Sequence, residues 1–453
     1  MTLPATIELN AGQACVADTA DRANRWGART ENMPDSQQQL DLGTPADPTD
    51  WRRADVGYGI LLPDSAASPA DKAAALDAAG PVRELLKARP DTVVLRWSPQ
   101  LPPGFVRRYY PDGTSQDPGI GVTTFGTARG LLPRYVSIIA TPAEIPWRVQ
   151  YDFETRHAVG RVPLTGDALG NYLQALVDEW RGCEIDVRAP VVWTVSTPGD
   201  ITDLMRTVVA DPLVTRLTDP TLPDLRTLGA ASATAAQLLG ALTAAHPAFV
   251  ATSSHGLAVA APDALRAGLG TPLDCTGTPV DLAALTASVP GGAVWYSQAC
   301  CSAGSDAVTN YAGLIASGPV LDTLTAVAAL GATVAPACLA LLGRDRPVRA
   351  VFGHVEPTFD WTLRVAETGQ ALGGDLVAGM STNLFAGQPL GYVLDAYRAG
   401  VGVLQSQWAE LRAQLDNGDT SVRDRLTRLR LSAIDRQSLV LLGDPTVTLP
   451  KPD

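Results

Sequence analysis

The chain has 453 residues, close to half of them apolar, and a formal charge of −12. Its positive charge is nearly all arginine, with lysine only at Lys72, Lys87 and Lys451. An acidic chain without a basic stripe is not built to hold nucleic acid, and no unbroken apolar run is long enough to span a bilayer. Six scattered cysteines without a CxxC pair argue against a disulfide framework or a zinc site. The start, Met1-Thr2-Leu3-Pro4, lacks the pattern of a secretory signal, so a reduced, cytoplasmic protein with no membrane partner is expected.

Residues 1–50 are polar and aperiodic and read as a loosely ordered arm. Beyond Trp51 come a short strand at Tyr58–Leu62, an Ala/Leu-rich helix near Ala70–Lys87 and a strand at Thr92–Trp97. A Gly/Pro-dense connection from Leu101 to Pro133 follows, with Arg107-Arg108 as a nickable surface pair. After a buried-type strand at Tyr135–Ala140, Leu169, Tyr172, Leu173, Leu176, Val177 and Trp180 recur at helical spacing, with Asp167 placed to cap that helix. Pro190–Thr197 reads as a strand, Ile201–Ala210 and Ser232–Ala245 as helices, and Thr323–Leu342 as a mainly helical crossover. A strand at Val348–Gly353, a helix through Val401–Leu415 and a strand-like run at Leu439–Pro450 close the chain. Strands alternating with helices predict an α/β fold with a largely parallel sheet flanked by helices.

The chemistry concentrates between Ala248 and Gly304. Two short apolar runs there are typical of strands buried on both faces, and they end in Ser254-His255-Gly256 and Gln298-Ala299-Cys300. Active groups of parallel sheets gather just past the carboxyl ends of the strands. A thiol is nucleophilic as thiolate, and a neighbouring imidazole can take its proton and return it to the leaving amine. The backbone N–H groups of Gly256 and Cys300 could then hold the oxyanion of a tetrahedral intermediate. Cys301 is the rival nucleophile, expected to pack inward, and His354 the rival base. His157 and His246 read as surface or packing residues, and no nucleotide loop, GxSxG elbow or HExxH is present.

The His-Gly and Gln-Ala-Cys sequences resemble those of caspases, although Cys301-Ser302 departs from the caspase pattern after the cysteine. The wider resemblance, over roughly residues 130–450, is to gingipain-type cysteine peptidases. Tyr135–Ile139 with Ile145-Pro146, Ala158-Val159-Gly160-Arg161, Ala299-Cys300 and Leu442-Gly443-Asp444-Pro445-Thr446 carry it. The last of these is expected to brace the sheet.

That resemblance implies a caspase-hemoglobinase-like fold, with an N-terminal α/β subdomain over 51–186 and a catalytic subdomain over 187–450. It also implies cysteine endopeptidase activity on protein or peptide substrates, often after Arg or Lys. Asp200, with Asp203 as rival, Gln298, Glu356 and Trp361 are the substrate-binding residues by this likeness, and Asp200 also reads as a helix N-cap. No cofactor is expected; calcium enters by resemblance alone. The alternative is a protease-fold module dormant until a regulatory protein partner binds or the chain is cut, acting in a regulated cleavage cascade, or a non-catalytic scaffold.

Overall fold

The computed structural model describes residues 9–10, 15–16 and 46–451, except 231, 258–260, 316 and 366–367. The chain divides into two compact units, Met1–Asp47 and Pro48–Asp453. In the first, Leu9–Asn10 and Cys15–Val16 pair antiparallel, a pairing the aperiodic sequence does not announce. The expected arm lies largely outside the described residues.

The second unit is organised by one ten-stranded sheet. In chain order its strands are β1 (Tyr58–Pro63), β2 (Val93–Trp97), β3 (Tyr135–Ile138), β4 (Ala158–Arg161), β5 (Val191–Val195), β6 (Arg226–Ala230), β7 (Phe249–Ser253), β8 (Val294–Gln298), β9 (Ala350–His354) and β10 (Leu439–Gly443). Across the sheet they lie β6-β5-β7-β8-β9-β10-β4-β3-β1-β2. Every neighbouring pair is parallel except β9–β10. The sheet is therefore two parallel halves running in opposite directions, so their carboxyl ends emerge at opposite edges.

Continuous burial explains why most strands read as apolar runs: β5, β7, β8, β9 and β10 are buried along their whole length. Trp193, Trp295, Tyr296 and Phe352 fill the interior of the second half. The join between the halves is tight, because a Cβ on Gly160 of β4 would collide with the Gly443 carbonyl of β10. Beside it Arg161, fully buried, donates to Gln150 Oε1 (2.9 Å) and to the carbonyls of Ala140 (3.1 Å) and Ile145 (2.9 Å). The Gly-Arg pair thus ties β4 to the Ile-Pro turn and to α1 (Trp147–Glu154) that follows it.

Several local expectations change. The Ala70–Lys87 helix is two, Pro69–Ala73 and Gly80–Ala88, separated where Ala75 takes a left-handed φ of 52°. Helix α2 (Gly166–Val177) is entered from Thr165 rather than capped by the Asp167 side chain, and Trp180 lies beyond its end at φ 56°. Ile201–Ala210 is α3 (Ile201–Met205) followed by a π turn (Arg206–Ala210), and α4 (Ala235–Ala245) opens on a capping box from Thr234 and Gln237. The late helix is α5 (Asp395–Asp416), and it is followed by an unanticipated α6 (Arg423–Gln437). The Leu101–Pro133 connection is held by its own arginines, Arg107 on Asp117 (2.7 Å) and Arg108 on the Thr127 carbonyl (2.7 Å). No described helix is long and apolar enough to cross a membrane.

Candidate active site at the ends of β5, β7 and β8

Strands β7 and β8 pair in parallel register, Phe249 opposite Val294 through Ser253 opposite Gln298. The register runs on past the strands, where the Ser254 N–H donates to the Gln298 carbonyl at 3.2 Å. His255 and Cys300 are therefore side by side just beyond the sheet. Glycine is required next: a Cβ on Gly256 would collide with the Cys300 carbonyl oxygen and lie 3.1 Å from its nitrogen. Neither the Gly256 nor the Cys300 N–H donates to a backbone acceptor among the described residues.

A left-handed turn at Cys301 (φ 53°) sends the chain back under the strand end. The Cys301 N–H donates to the Glu356 carbonyl (3.1 Å) and the Ala303 N–H to that of His354 (2.8 Å). The Ser302 hydroxyl donates to Ser297 O and accepts from His354 N, both at 2.9 Å. Cys301 is thereby fully buried, and burial drives its thiol pKa far up. It is inward-facing as expected, but through the turn and not through strand alternation.

Cys300 is only partly covered, yet its sulfur lies deep enough that burial pushes the thiol up to about 11. The thiol donates to the Thr358 carbonyl at 3.5 Å. His255 is exposed, with 46 % of its side-chain surface open, and its Nε2 lies 2.9 Å from Asp200 Oδ1. Imidazole and thiol are each held by a neighbour and are not bonded to each other.

Asp200 follows β5 and caps α3, taking the Thr202 N–H (2.9 Å) and hydroxyl (2.7 Å) on the same Oδ1. Burial works against its charge, but those two donors and the His255 ring together hold its pKa below the usual carboxylate value. Order β6-β5-β7 reverses direction between β5 and β7, the kind of switch point where crevices open in parallel sheets.

The other expected pocket residues are dispersed. Gln298 is buried with Oε1 on the Ser253 hydroxyl (3.1 Å). Glu356 is buried with Oε2 on the Asn310 side-chain amide (2.8 Å), so it does not face substrate as a free carboxylate; burial raises its pKa, with the Asn310 bonds opposing. Trp361 packs on Phe359, ring centres 4.5 Å apart, in a small cluster with Tyr311. Asp203 is taken by Arg206 (3.0 Å) and the Ser196 hydroxyl (3.0 Å). His354 is buried, its Nδ1 2.9 Å from Ser438 Oγ, and burial lowers its pKa to about 4, so it is no rival base for an exposed substrate. His157 is a packing residue, buried between Phe125 and Phe153.

Sequence reading missed Thr358, Tyr296 and Asp435. Asp435, fully buried in α6, accepts from the Phe359 N–H (3.3 Å) and the Thr362 hydroxyl (3.1 Å) and so anchors the 358–362 loop. Burial outweighs those bonds and raises its carboxyl to about 7. The only advance signal was a polar residue at a helical apolar position of an unrecognised helix. Among the described residues no group of three or more His, Cys, Asp or Glu could hold a metal ion.

No protein-family model matches the chain, and neither does a curated protein. Among solved structures, one described as "Structure of Protease" aligns over 87% of this chain and 79% of its own, at 10% identity and a TM-score of 0.47.

Proposed function

We propose that the chain is a cysteine endopeptidase in which Cys300 attacks the peptide carbonyl and His255 carries the proton. Asp200 orients the imidazole. In this reading residues 51–186 form the N-terminal subdomain and 187–450 the catalytic one. The thiol proton passes to His255 as the sulfur–carbon bond forms, and the imidazolium then protonates the departing amine. Water attacks the thioester with the same imidazole as base. The N–H groups of Gly256 and Cys300 face the developing oxyanion.

What supports this above all is that neighbouring strands of one half-sheet bring Asp200 onto His255 at 2.9 Å and pack Gly256 on the Cys300 backbone. Cys300→Ala is expected to abolish cleavage of a protein substrate and to remove iodoacetamide labelling at that position. Activity surviving in Cys300→Ala and lost in Cys301→Ala would move the nucleophile.

A second reading, a module dormant until activated, is favoured by one observation. The thiol is held protonated on the Thr358 carbonyl while His255 is engaged by Asp200. Turnover that begins only after limited proteolysis or addition of a partner protein would establish it, whereas constitutive turnover by the intact chain would exclude it.

A further inference from the structure

Cys300 follows the carboxyl end of β8; at the opposite edge of the sheet, where the parallel strand β9 begins, three arginines surround one crevice. Arg349 immediately precedes β9, Arg89 follows the Gly80–Ala88 helix, and Arg52 lies ahead of β1. With Trp51, Trp180 and the segment 446–448 after β10 they line a cavity of about 260 Å³. A second cavity, of about 210 Å³, adjoins it and shares Trp51, Arg52 and Arg89.

Each guanidinium is held on an aromatic face. Arg52 and Arg89 lie 4.2 and 4.6 Å from the centre of the Trp51 ring, and Arg349 lies 5.0 Å from that of Trp180. Stacking fixes the plane of a guanidinium and leaves its N–H edge for acceptors. Those edges are incompletely used. Arg349, only 8% exposed, donates through Nε to the Gly292 carbonyl (2.9 Å) and through Nη1 to that of Thr448 (3.3 Å), while its Nη2 has no acceptor among the described residues. Arg89 donates only through Nη1, to Thr446 Oγ1 at 3.1 Å.

Negative charge near the three is scarce or already committed. Among the described residues no carboxylate pairs with Arg349, and burial lowers its pKa. Arg89 stands 3.7 Å from Asp444, whose oxygens already accept from the Tyr58 hydroxyl and the Thr446 N–H. Glu179, two-thirds exposed, lies 3.9 Å from Arg52, and a pair so open to water is worth little. Three like charges gathered on one crevice repel, and an anion between them offsets that repulsion.

We propose that this crevice binds a phosphate group, as inorganic phosphate or as a phosphate monoester. A guanidinium fork pairs two N–H groups with two oxygens, and a phosphate presents enough oxygens to engage more than one fork at once, which a carboxylate does not. Its charge of nearly two at neutral pH also answers three cations better than a single charge does. Glu179 at the rim opposes that charge and so sets the affinity.

The test is calorimetric titration of the full-length chain with inorganic phosphate, phenyl phosphate and acetate, at an ionic strength held constant with sodium chloride. One phosphate probe is expected to bind once per chain and at least about tenfold more tightly than acetate. Tighter binding of phenyl phosphate identifies a monoester site, and tighter binding of inorganic phosphate a site for the free ion. Glu179→Gln should strengthen phosphate binding about threefold, and Arg52→Ala should weaken it about threefold. Arg89→Gln, which keeps a donor for Thr446, should weaken it about tenfold; the two exposed variants decide the matter where that chain does not fold. Acetate bound as tightly as phosphate, no saturable phosphate binding, or an affinity unchanged in both Glu179→Gln and Arg52→Ala overturns the proposal.

Discussion

Two aspartates stand just past strand ends in the two opposed half-sheets, and their surroundings differ in kind. Asp444, after β10, is fully buried; it accepts from the Tyr58 hydroxyl (2.6 Å) and the Thr446 N–H (3.0 Å), and its own N–H donates to Tyr172 Oη (2.7 Å). These bonds tie β10 to β1 and to α2. Asp200, after β5, is one-third exposed and shares one oxygen between a helix cap and an imidazole. A carboxylate whose bonds are all spent inside the core is a brace. Asp200 instead divides its bonds between an exposed imidazole and a helix cap at the surface, and its role in the proposed mechanism rests on that ring. The opposed strand directions put the two at opposite edges of the sheet, so substitutions at one should not be felt at the other.

The sharpest way to break this contrast is at the site itself. Cys300→Ala should lower the rate of peptide hydrolysis by about 10³-fold or more, with the urea midpoint unchanged; a comparable loss of stability would place Cys300 with the braces. Next comes Asp200→Asn, which keeps a competent helix cap but weakens the hold on His255. About 10²-fold loss in kcat is expected, with KM nearly constant, and an unchanged kcat would reduce Asp200 to a cap. At the other edge, Asp444→Ala should cost about 3 kcal/mol in denaturant unfolding, because it strands the Tyr58 hydroxyl, while kcat per folded molecule stays the same. Cys301→Ala should cost about 1 kcal/mol and leave labelling at Cys300 intact.

The subtlest test concerns pH. His157 and His354 are buried, with pKa values lowered to about 4 by desolvation, whereas burial raises Glu154 and Asp435 to about 7. As pH falls from about 6.5 to 4.5, the unfolded chain binds protons on the histidines that the fold refuses, which lowers stability. Over the same range the folded carboxyls hold protons that the unfolded ones still lack, which raises it. The two pairs oppose, and burial raises Asp152, Asp306 and Glu356 as well, so on balance the urea midpoint should rise on acidification across that window. Glu154→Gln removes one of the groups that raise it, and its midpoint should rise less than the parent's; an identical slope in the two would contradict this assignment.

The strands most legible in sequence were those buried on both faces, because continuous burial demands continuous apolar residues. Edge strand β6, with Arg226, Thr227 and Gly229, and short β4, ending in Arg161, lack that signature and went unread. Helix α6 was hidden by its arginines: it buries Leu426, Leu431 and Ile434 but is otherwise strongly polar. With α6 unread, the anchor of the 358–362 loop was invisible. Glu356 and Trp361 were expected in the pocket by likeness of their loop to a peptidase wall segment, and their side chains turn to Asn310 and to the Phe359–Tyr311 cluster.

By itself the sequence determined that a histidine and a cysteine end two successive buried strands, since apolar runs of strand length and a helix-length spacing suffice to make them neighbours. Tertiary structure alone decided which aspartate reaches the imidazole, that the two half-sheets run opposed, and that the Thr358 carbonyl meets the Cys300 thiol. Those depend on contacts between residues as distant in the chain as Asp200 and His255, or Cys300 and Thr358, and no local pattern encodes which side chains will meet.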